Sequence, residues 1–281
     1  MPEALEMRGA HAAGGVAAAR EALLAWVEEA GAEGRLFLQL RLLAPPDGDY
    51  EIRHVEDADL ALESLETARD PYAAREIAQT TADGEHRPLK TAPNLRRGWA
   101  LVGLDARGLW TALDYLYPAC AVHWHAGREG TLRVTHWRET AGRQSGIYSA
   151  VGLLPNEAVR NTVRACCADV VCLRRVAWEI DESTPLAVFP EEEPVAGARV
   201  PCPEPCSLFI SLARKVLSLE RAPRQAVEGL GTLGKGEVEQ LRQLVAAAAT
   251  GALTTAREGE FTEALNLRRI RYLAARLEDA S

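Results

Sequence analysis

The sequence has few cysteines, no long apolar run and no excess of positive charge. Only six of the 281 residues are cysteine, and no stretch approaches the roughly 20 apolar residues that a membrane-spanning helix needs. The formal net charge of −8 argues against broad binding to nucleic acid or to anionic membranes. The N-terminus lacks the basic start and apolar block of a secretory signal. We therefore expect a cytoplasmic protein whose thiols stay reduced.

The composition is that of an ordinary globular protein, with 47% hydrophobic and 26% charged residues. The length suggests about two domains. We predict an α+β fold, in which an α+β domain with β-hairpins over residues 1–150 precedes a mostly helical, cysteine-rich metal-binding domain over residues 151–281. No general acid, base and nucleophile stand out together, so the sequence favours an accessory role over a complete enzyme.

The first domain is expected to begin with a helix over residues 15–30. Alternating apolar residues predict a strand over 35–43, a turn at PPDGD and a return strand over 50–55. A helix is expected in DPYAAREIAQT, then a strand in GWALVGL and a helix in DARGLWTALDYLY that Pro118 ends. The run AVHWHAGREGTLRVTHWRE, residues 121–139, predicts another β-hairpin around AGREG.

The second domain shows helical apolar spacing in four segments. They are PNEAVRNTVRACC, CSLFISLARKVLSL, KGEVEQLRQLVAAAATGAL and GEFTEALNLRRIRYLAARL. Between the first two lies a loop rich in proline and glutamate. The cysteines therefore lie where predicted helices meet loops.

Five of the six cysteines form two patches, CCADVVC at residues 166–172 and CPEPC at residues 202–206. Two groups of thiols on separate segments can build a four-cysteine site for zinc or for an iron–sulfur cluster. At a helix start, N–H groups and the helix dipole favour the Cys206 thiolate, and Pro203 and Pro205 stiffen the loop. The candidate ligands are Cys166, Cys167, Cys172, Cys202 and Cys206, and nearby cations that could offset their charge are Arg164, Arg174, Arg175, Arg214 and Lys215.

Spacing alone allows either metal, because zinc pairs are commonly C-x2-C to C-x4-C. The surrounding Val, Leu, Ile and Phe favour a [4Fe–4S] cluster shielded from water over zinc, and a third possibility is that the thiols are simply buried side chains. One cysteine is surplus to four ligands. Adjacent Cys166 and Cys167 should point about 100° apart on a helix, so one would bind and the other would pack. The spacing does not decide which of the two would bind.

The segments RACCADVVCLRRVAWEIDESTPL and VPCPEPCSLFISLARKVL resemble the iron–sulfur domain of chelatase-like proteins related to the small sirohydrochlorin cobaltochelatases of cobalamin and sirohaem synthesis. Upstream, LYPACAVHWHAGREGTLRVTHWRETAGRQSGIY resembles the stabilising domain that precedes it in that family. The resemblance covers about residues 35–220. It implies a [4Fe–4S] cluster on Cys172, Cys202, Cys206 and one of Cys166 or Cys167, in a chain without the family's two chelatase domains.

Two further groups of side chains are candidate ligand surfaces. His123 and His125 would share one face of the predicted strand, where they could bind a metal or approach a tetrapyrrole; the alternative is a solvated strand face. Arg138 and Glu139 could belong to a site for a carboxylate-rich ligand; the alternative is a polar network that ties the hairpin to the next helix.

The sequence thus predicts an iron–sulfur protein that serves tetrapyrrole metallation or associated electron transfer. Its expected partner is a separately encoded chelatase or an electron-transfer protein, with no role for nucleic acid or membrane. The alternative is a zinc-stapled or metal-free protein-interaction module.

Overall fold

A computed structural model describes residues 3–46, 48–80, 84, 86, 95–167, 172–181, 200–221, 224–227, 231–249 and 272. Contacts between Cα atoms divide the chain into two units, Met1–Leu132 with Glu193–Pro201 and Arg133–Glu192 with Cys202–Ser281. Residues 133–150 thus group with the second unit, and the assignment of separate roles to residues 1–150 and 151–281 stays a prediction. Helices and strands occur together, which confirms the α+β class.

The first unit contains a mixed sheet beside a long helix, α1 (Glu3–Ala30). The strands run in the order β1-β2-β3-β5-β4, and only β4 and β5 pair in parallel. Their bounds are β1 Arg35–Phe37, β2 Leu40–Leu43, β3 Tyr50–His54, β4 Glu66–Ala68 and β5 Trp99–Leu104. On β2, Leu40 and Leu42 point into the core, as the alternation predicts.

The single strand predicted over residues 35–43 is wrong, because the chain turns back inside it. Phe37 pairs with Leu40 across a tight hairpin, and Leu38 takes the left-handed conformation with φ 57°. That conformation is unusual for a leucine, since glycine or asparagine normally occupies it. The segment therefore carries no residue of the kind that marks a hairpin turn.

The described part of the first unit also contains three shorter α-helices, α2 (Ala73–Gln79), α3 (Ala106–Leu116) and α4 (Cys120–Arg128). The Asp105 carboxylate caps α3 by accepting the Gly108 N–H at 2.6 Å. Along α3, Leu109, Leu113 and Leu116 are buried at helical spacing. The predictions of α2, α3 and the strand before α3 are confirmed.

The β-hairpin predicted over residues 121–139 is wrong, because its first half is the helix α4. The buried side chains of α4 are Cys120, Ala121 and Trp124, which is helical rather than alternating spacing. Trp124 packs against α1, with its ring centroid 5.1 Å from that of Trp26. The alternation in VHWH indicates a strand, but the residue that determines the packing of Trp124 lies about 100 residues earlier in the chain.

The part of the second unit that the structure describes is mostly helical, as predicted. After α5 (Trp137–Gly142) and a 3-10 helix (Gly146–Leu153) come α6 (Asn156–Cys167), the short strands β6 (Arg175–Val176) and β7 (Pro201–Cys202), and α7 (Ser207–Arg221). A hairpin of β8 (Arg224–Val227) and β9 (Gly231–Gly234) leads into α8 (Lys235–Ala249). The helix predicted over residues 259–277 lies outside the described residues, apart from residue 272.

Helices α6 and α7 pack on each other through stripes of buried residues. Val159, Val163 and Cys166 repeat on α6, and Phe209, Ala213 and Val216 repeat on α7. These spacings of three and four residues place one apolar face of each helix in the core. The cysteine patches are thereby fixed to the end of α6 and the start of α7. None of the described helices is long and apolar enough to cross a bilayer.

Candidate metal centre

The five clustered cysteines lie together around one cavity, which we call the thiol cavity. Its volume is about 40 Å³. Its lining residues are Cys166, Cys167, Cys172, Arg174, Val176, Trp178, Cys202, Cys206, Leu208 and Phe209. The sixth cysteine, Cys120, is buried in the core of the first unit. Cys120 and the clustered thiols therefore belong to different units of the chain.

Main-chain hydrogen bonds fix the segments that carry the thiols. The N–H of Ala177 donates to the Cys202 carbonyl at 3.0 Å, and the N–H of Thr135 donates to the Pro203 carbonyl at 2.9 Å. The N–H of Trp137 donates to the Glu179 carbonyl at 2.8 Å. Short non-helical segments on both sides of the cavity are thus held by the rest of the second unit.

Main-chain N–H groups also point at three of the sulfurs. Cys172 accepts from the N–H of Arg174, Cys202 from that of Glu204, and Cys206 from those of Leu208 and Phe209. In each case the first donor lies two residues after the cysteine. Donation from N–H groups stabilises the thiolate form, because the charge receives the hydrogen.

Cys206 occupies the N-cap position of α7. Its carbonyl accepts the N–H of Ile210 at 3.0 Å, the first bond of the helix, and its sulfur accepts from the next free N–H groups. At this position the helix dipole adds positive potential. The expectation that Cys206 stands at a helix start is confirmed.

Burial and mutual repulsion nevertheless favour the protonated form of Cys167, Cys172, Cys202 and Cys206 when no metal is bound. Desolvation, then the charges of Cys206 and Cys172, raise the pKa of Cys202 to about 12. Desolvation is also the main cause that raises the pKa of Cys172, to about 11, and the pKa of Cys206. The protonated Cys202 thiol donates to the Glu204 carbonyl at 3.1 Å. A bound cationic group would have to displace these protons.

Cys166 and Cys167 do not separate as the sequence predicts. The expected angle of about 100° between neighbours on a helix does not send one of them away, because both line the thiol cavity and both are buried. The hydrogen bond that the Cys167 thiol donates to Cys166, followed by burial and by the charges of Cys166, Cys172 and Cys206, raises the pKa of Cys167 well above its usual range. The last turn of α6 therefore presents two thiols.

Arg174 is the one cation that lines the thiol cavity among the described residues. Its guanidinium lowers the pKa of Cys172, Cys202 and Cys206, against the effect of burial. Of the other cations suggested by sequence, Arg214 stands over the Tyr148 ring, 5.1 Å from its centroid. Arg174 thus supplies local compensation for an anionic group in the cavity.

The apolar wall of the cavity includes Trp178 and Phe209, which sequence reasoning did not single out. Phe209 is completely buried between two tryptophans, with ring centroids 5.1 Å from Trp178 and 5.4 Å from Trp137. Both pairs are edge to face. The run RVAWEI shortly after Cys172 was a usable signal for Trp178, since alternation there indicates a buried residue.

Neither of the two other candidate ligand surfaces contributes to the lining of the thiol cavity. His123 and His125 lie on α4 rather than on a strand, so a separation of two residues turns them about 200° apart. The prediction that His123 and His125 share one face is therefore wrong. Arg138 donates to the Gly152 carbonyl at 2.9 Å and to the Asn156 amide oxygen, while Glu139 is exposed on α5. Arg138 thus ties α5 to the start of α6.

The thiols border the cavity and do not meet at one point. Within the part of the chain that the structure describes, no three His, Cys, Asp or Glu side chains converge closely enough to hold a single metal ion. Four sulfurs around one zinc at about 2.3 Å would stand about 3.8 Å from one another. The arrangement suits a group of several atoms that fills the space between the sulfurs.

Comparison with protein-family models gives two matches that together span residues 18–215. Residues 18–128 match the DR2241 stabilising domain, and residues 129–215 match a 4Fe-4S iron-sulfur cluster binding domain. The second match contains all five residues of the two cysteine patches. The chain is therefore similar to a stabilising domain followed by a cluster-binding domain, as the sequence resemblance indicates.

A solved structure shows the same similarity. DR2241 from Deinococcus radiodurans is described as a multi-domain protein with structural similarity to chelatases and two additional novel domains. The two chains are 28% identical, with a TM-score of 0.60 over 72% of this chain and 42% of DR2241. The match thus spans less than half of the length of that relative. No curated protein matches the chain.

Proposed function

We propose that this chain binds a [4Fe–4S] cluster in the thiol cavity. The observation that carries the proposal is the coincidence of five thiols on one cavity with the residues that match a cluster-binding domain. The residues present fit such a group, since thiolates are its usual ligands and N–H donors toward the sulfurs stabilise it. The proposed ligands are Cys167, Cys172, Cys202 and Cys206, with Cys166 as a fifth thiol beside them.

Two features favour a cluster over zinc, and a third suits either group. The thiols surround a space instead of converging on one ion. Much of the remaining lining is apolar, with Val176, Trp178, Leu208 and Phe209 at the wall, which limits the access of water to a cluster. Arg174 and the start of α7 provide positive potential for a group that four thiolates make anionic.

When bound, a [4Fe–4S] cluster supplies one-electron redox capacity and cross-links the segments that hold it. The chain's own part is to hold the thiolates, shield them and balance their charge. We propose that this serves tetrapyrrole metal chelation or an associated electron transfer, in partnership with a separately encoded chelatase. The support for this role is the sequence resemblance together with the chelatase-like similarity described for DR2241.

Reconstitution of the metal-free protein with iron and sulfide under anaerobic conditions tests the cluster. The wild type should develop broad visible absorption, and Cys202→Ala should develop far less. Cys120→Ala is the matched control, because Cys120 is equally a buried thiol but belongs to the other core. Equal iron uptake by Cys202→Ala and the wild type would contradict the ligand assignment. Of the two adjacent cysteines on α6, replacement of Cys166 by alanine should leave the cluster bound, whereas Cys167→Ala should lose it.

The chelation role needs a separate measurement. Cobalt insertion into sirohydrochlorin by an added chelatase is followed with the cluster-loaded chain, with cluster-free Cys202→Ala and without either. A faster rate with the loaded chain alone supports the role. Identical rates in the three samples would leave the cluster in place and remove the proposed link to chelation.

A further inference from the structure

Two tryptophans beside the thiol cavity carry buried indole N–H groups without an acceptor. Trp137 is 0% exposed and Trp178 is 1% exposed, and both pack edge to face on Phe209. Neither Nε1 atom has a hydrogen-bond partner among the residues that the structure describes. A buried donor left unpaired is costly, so each such group calls for an explanation.

The two indoles differ in one respect, which is their relation to the cavity. Trp178 lines the thiol cavity, whereas Trp137 is not among its lining residues. Any group that fills the cavity therefore meets the wall that Trp178 forms. For Trp178 alone, the missing acceptor is explained by an occupant of the cavity that carries acceptor atoms.

We infer that the indole N–H of Trp178 donates a hydrogen bond to a sulfur of the cluster, and that Trp178 thereby sets the reduction potential. This inference rests on the proposed function, because the acceptor is a sulfide or thiolate of the [4Fe–4S] group. Hydrogen bonds to the sulfurs are among the properties that set the potential of a cluster. Reduction adds negative charge, so a donor stabilises the reduced form more and raises the potential.

The indole N–H would add to the main-chain N–H donors around the sulfurs, which a side-chain substitution cannot remove. Cys172, Cys202 and Cys206 already accept main-chain N–H groups, which every variant retains. Trp178 supplies a side-chain donor, and phenylalanine keeps an aromatic ring at this position while it removes the N–H. Trp178→Phe is thus a selective test of the hydrogen bond.

The experiment compares the cluster potentials of Trp178→Phe, Trp137→Phe and the wild type by anaerobic redox titration of the reconstituted full chain. We expect Trp178→Phe to bind the cluster and to lower the equilibrium constant for reduction about tenfold, which equals about 59 mV for a one-electron couple. Trp137→Phe removes an equally buried N–H from the same Phe209 stack and should leave the potential unchanged. A general loosening of the stack would instead shift both variants alike.

A second measurement does not depend on the folding of Trp178→Phe. Wild type and Trp137→Phe are prepared with ¹⁵N in the indole ring, and pulsed electron paramagnetic resonance is recorded on the reduced cluster. Both proteins should show a ¹⁵N nucleus coupled to the cluster. Absence of that coupling, or a Trp178→Phe potential equal to that of the wild type, overturns this inference alone. A wild-type chain that binds no cluster overturns the proposed function as well.

Discussion

Replacement of Phe209 by alanine tests whether the wall of the thiol cavity is packed as described. Phe209 is fully buried and touches two tryptophan rings edge to face. Buried Phe→Ala changes cost about 3–5 kcal/mol of unfolding free energy, and each aromatic pair contributes about 0.5–1.5 kcal/mol beyond its buried area. Phe209→Leu keeps most of the apolar volume and loses the two pairs, so we expect about 1–3 kcal/mol for leucine and 3–5 kcal/mol for alanine.

The assay is denaturant unfolding of the metal-free protein, together with hydrogen exchange at the backbone amides of α7. Hydrogen exchange assigns the loss to the second unit, because it reports local opening free energies. Ile147→Ala is the control: Ile147 is 67% exposed, so its change should stay within about 0.5 kcal/mol. A cost below about 1 kcal/mol for Phe209→Ala, or equal costs for alanine and leucine, would refute the packing.

Three further predictions concern charge, protons and the other unit. Arg174→Gln should lower the cluster potential in a redox titration and weaken cluster retention, because it removes the cation that lines the thiol cavity. Arg174→Lys should lower the potential and the retention less than Arg174→Gln does. An unchanged potential in Arg174→Gln would contradict this prediction. In the metal-free protein the pKa of Cys172 is raised to about 11 and that of Cys202 to about 12. Above about pH 9 the unfolded chain therefore releases thiol protons that the folded protein still holds. The contribution of these thiols to stability is complete below about pH 9 and is lost as the pH rises from about 9 to about 12. Denaturant unfolding at several pH values should show that the unfolding free energy falls less steeply with pH in the Cys172→Ala/Cys202→Ala double variant than in the wild type. Some fall remains in the variant, because burial raises the pKa of Tyr50 to about 12. Equal slopes of unfolding free energy against pH in the two proteins would exclude the thiol contribution. Asp105→Ala should cost about 1 kcal/mol by removing the cap of α3 with unchanged iron content, and a loss of iron would show that the two units depend on each other for cluster binding.

The parts of the site that the sequence predicts are those set by local spacing. The apolar repeats of α6 and α7 lie within single segments, so their helical period places Cys166, Cys167 and Cys206 at helix ends before any tertiary contact is known. The prolines of CPEPC mark the loop in the same way. The position of Cys206 at the N-cap follows from its place directly before an apolar helix.

The parts that the sequence does not predict depend on partners distant in the chain. The alternation in VHWH predicts a strand where α4 lies, and the packing of Trp124 on Trp26 shows that the helical period applies. The hairpin at Leu38 uses a conformation that its residue type rarely adopts. The convergence of both Cys166 and Cys167 on the cavity likewise depends on how the end of α6 meets the start of α7.

The most direct test of cluster binding is analysis of iron, acid-labile sulfide and zinc in the wild-type protein after anaerobic purification, together with its visible spectrum. A [4Fe–4S] cluster in the thiol cavity predicts a brown protein with about four irons and about four sulfides per chain, and with little zinc. A colourless protein that carries one zinc per chain, or no metal at all, would contradict it.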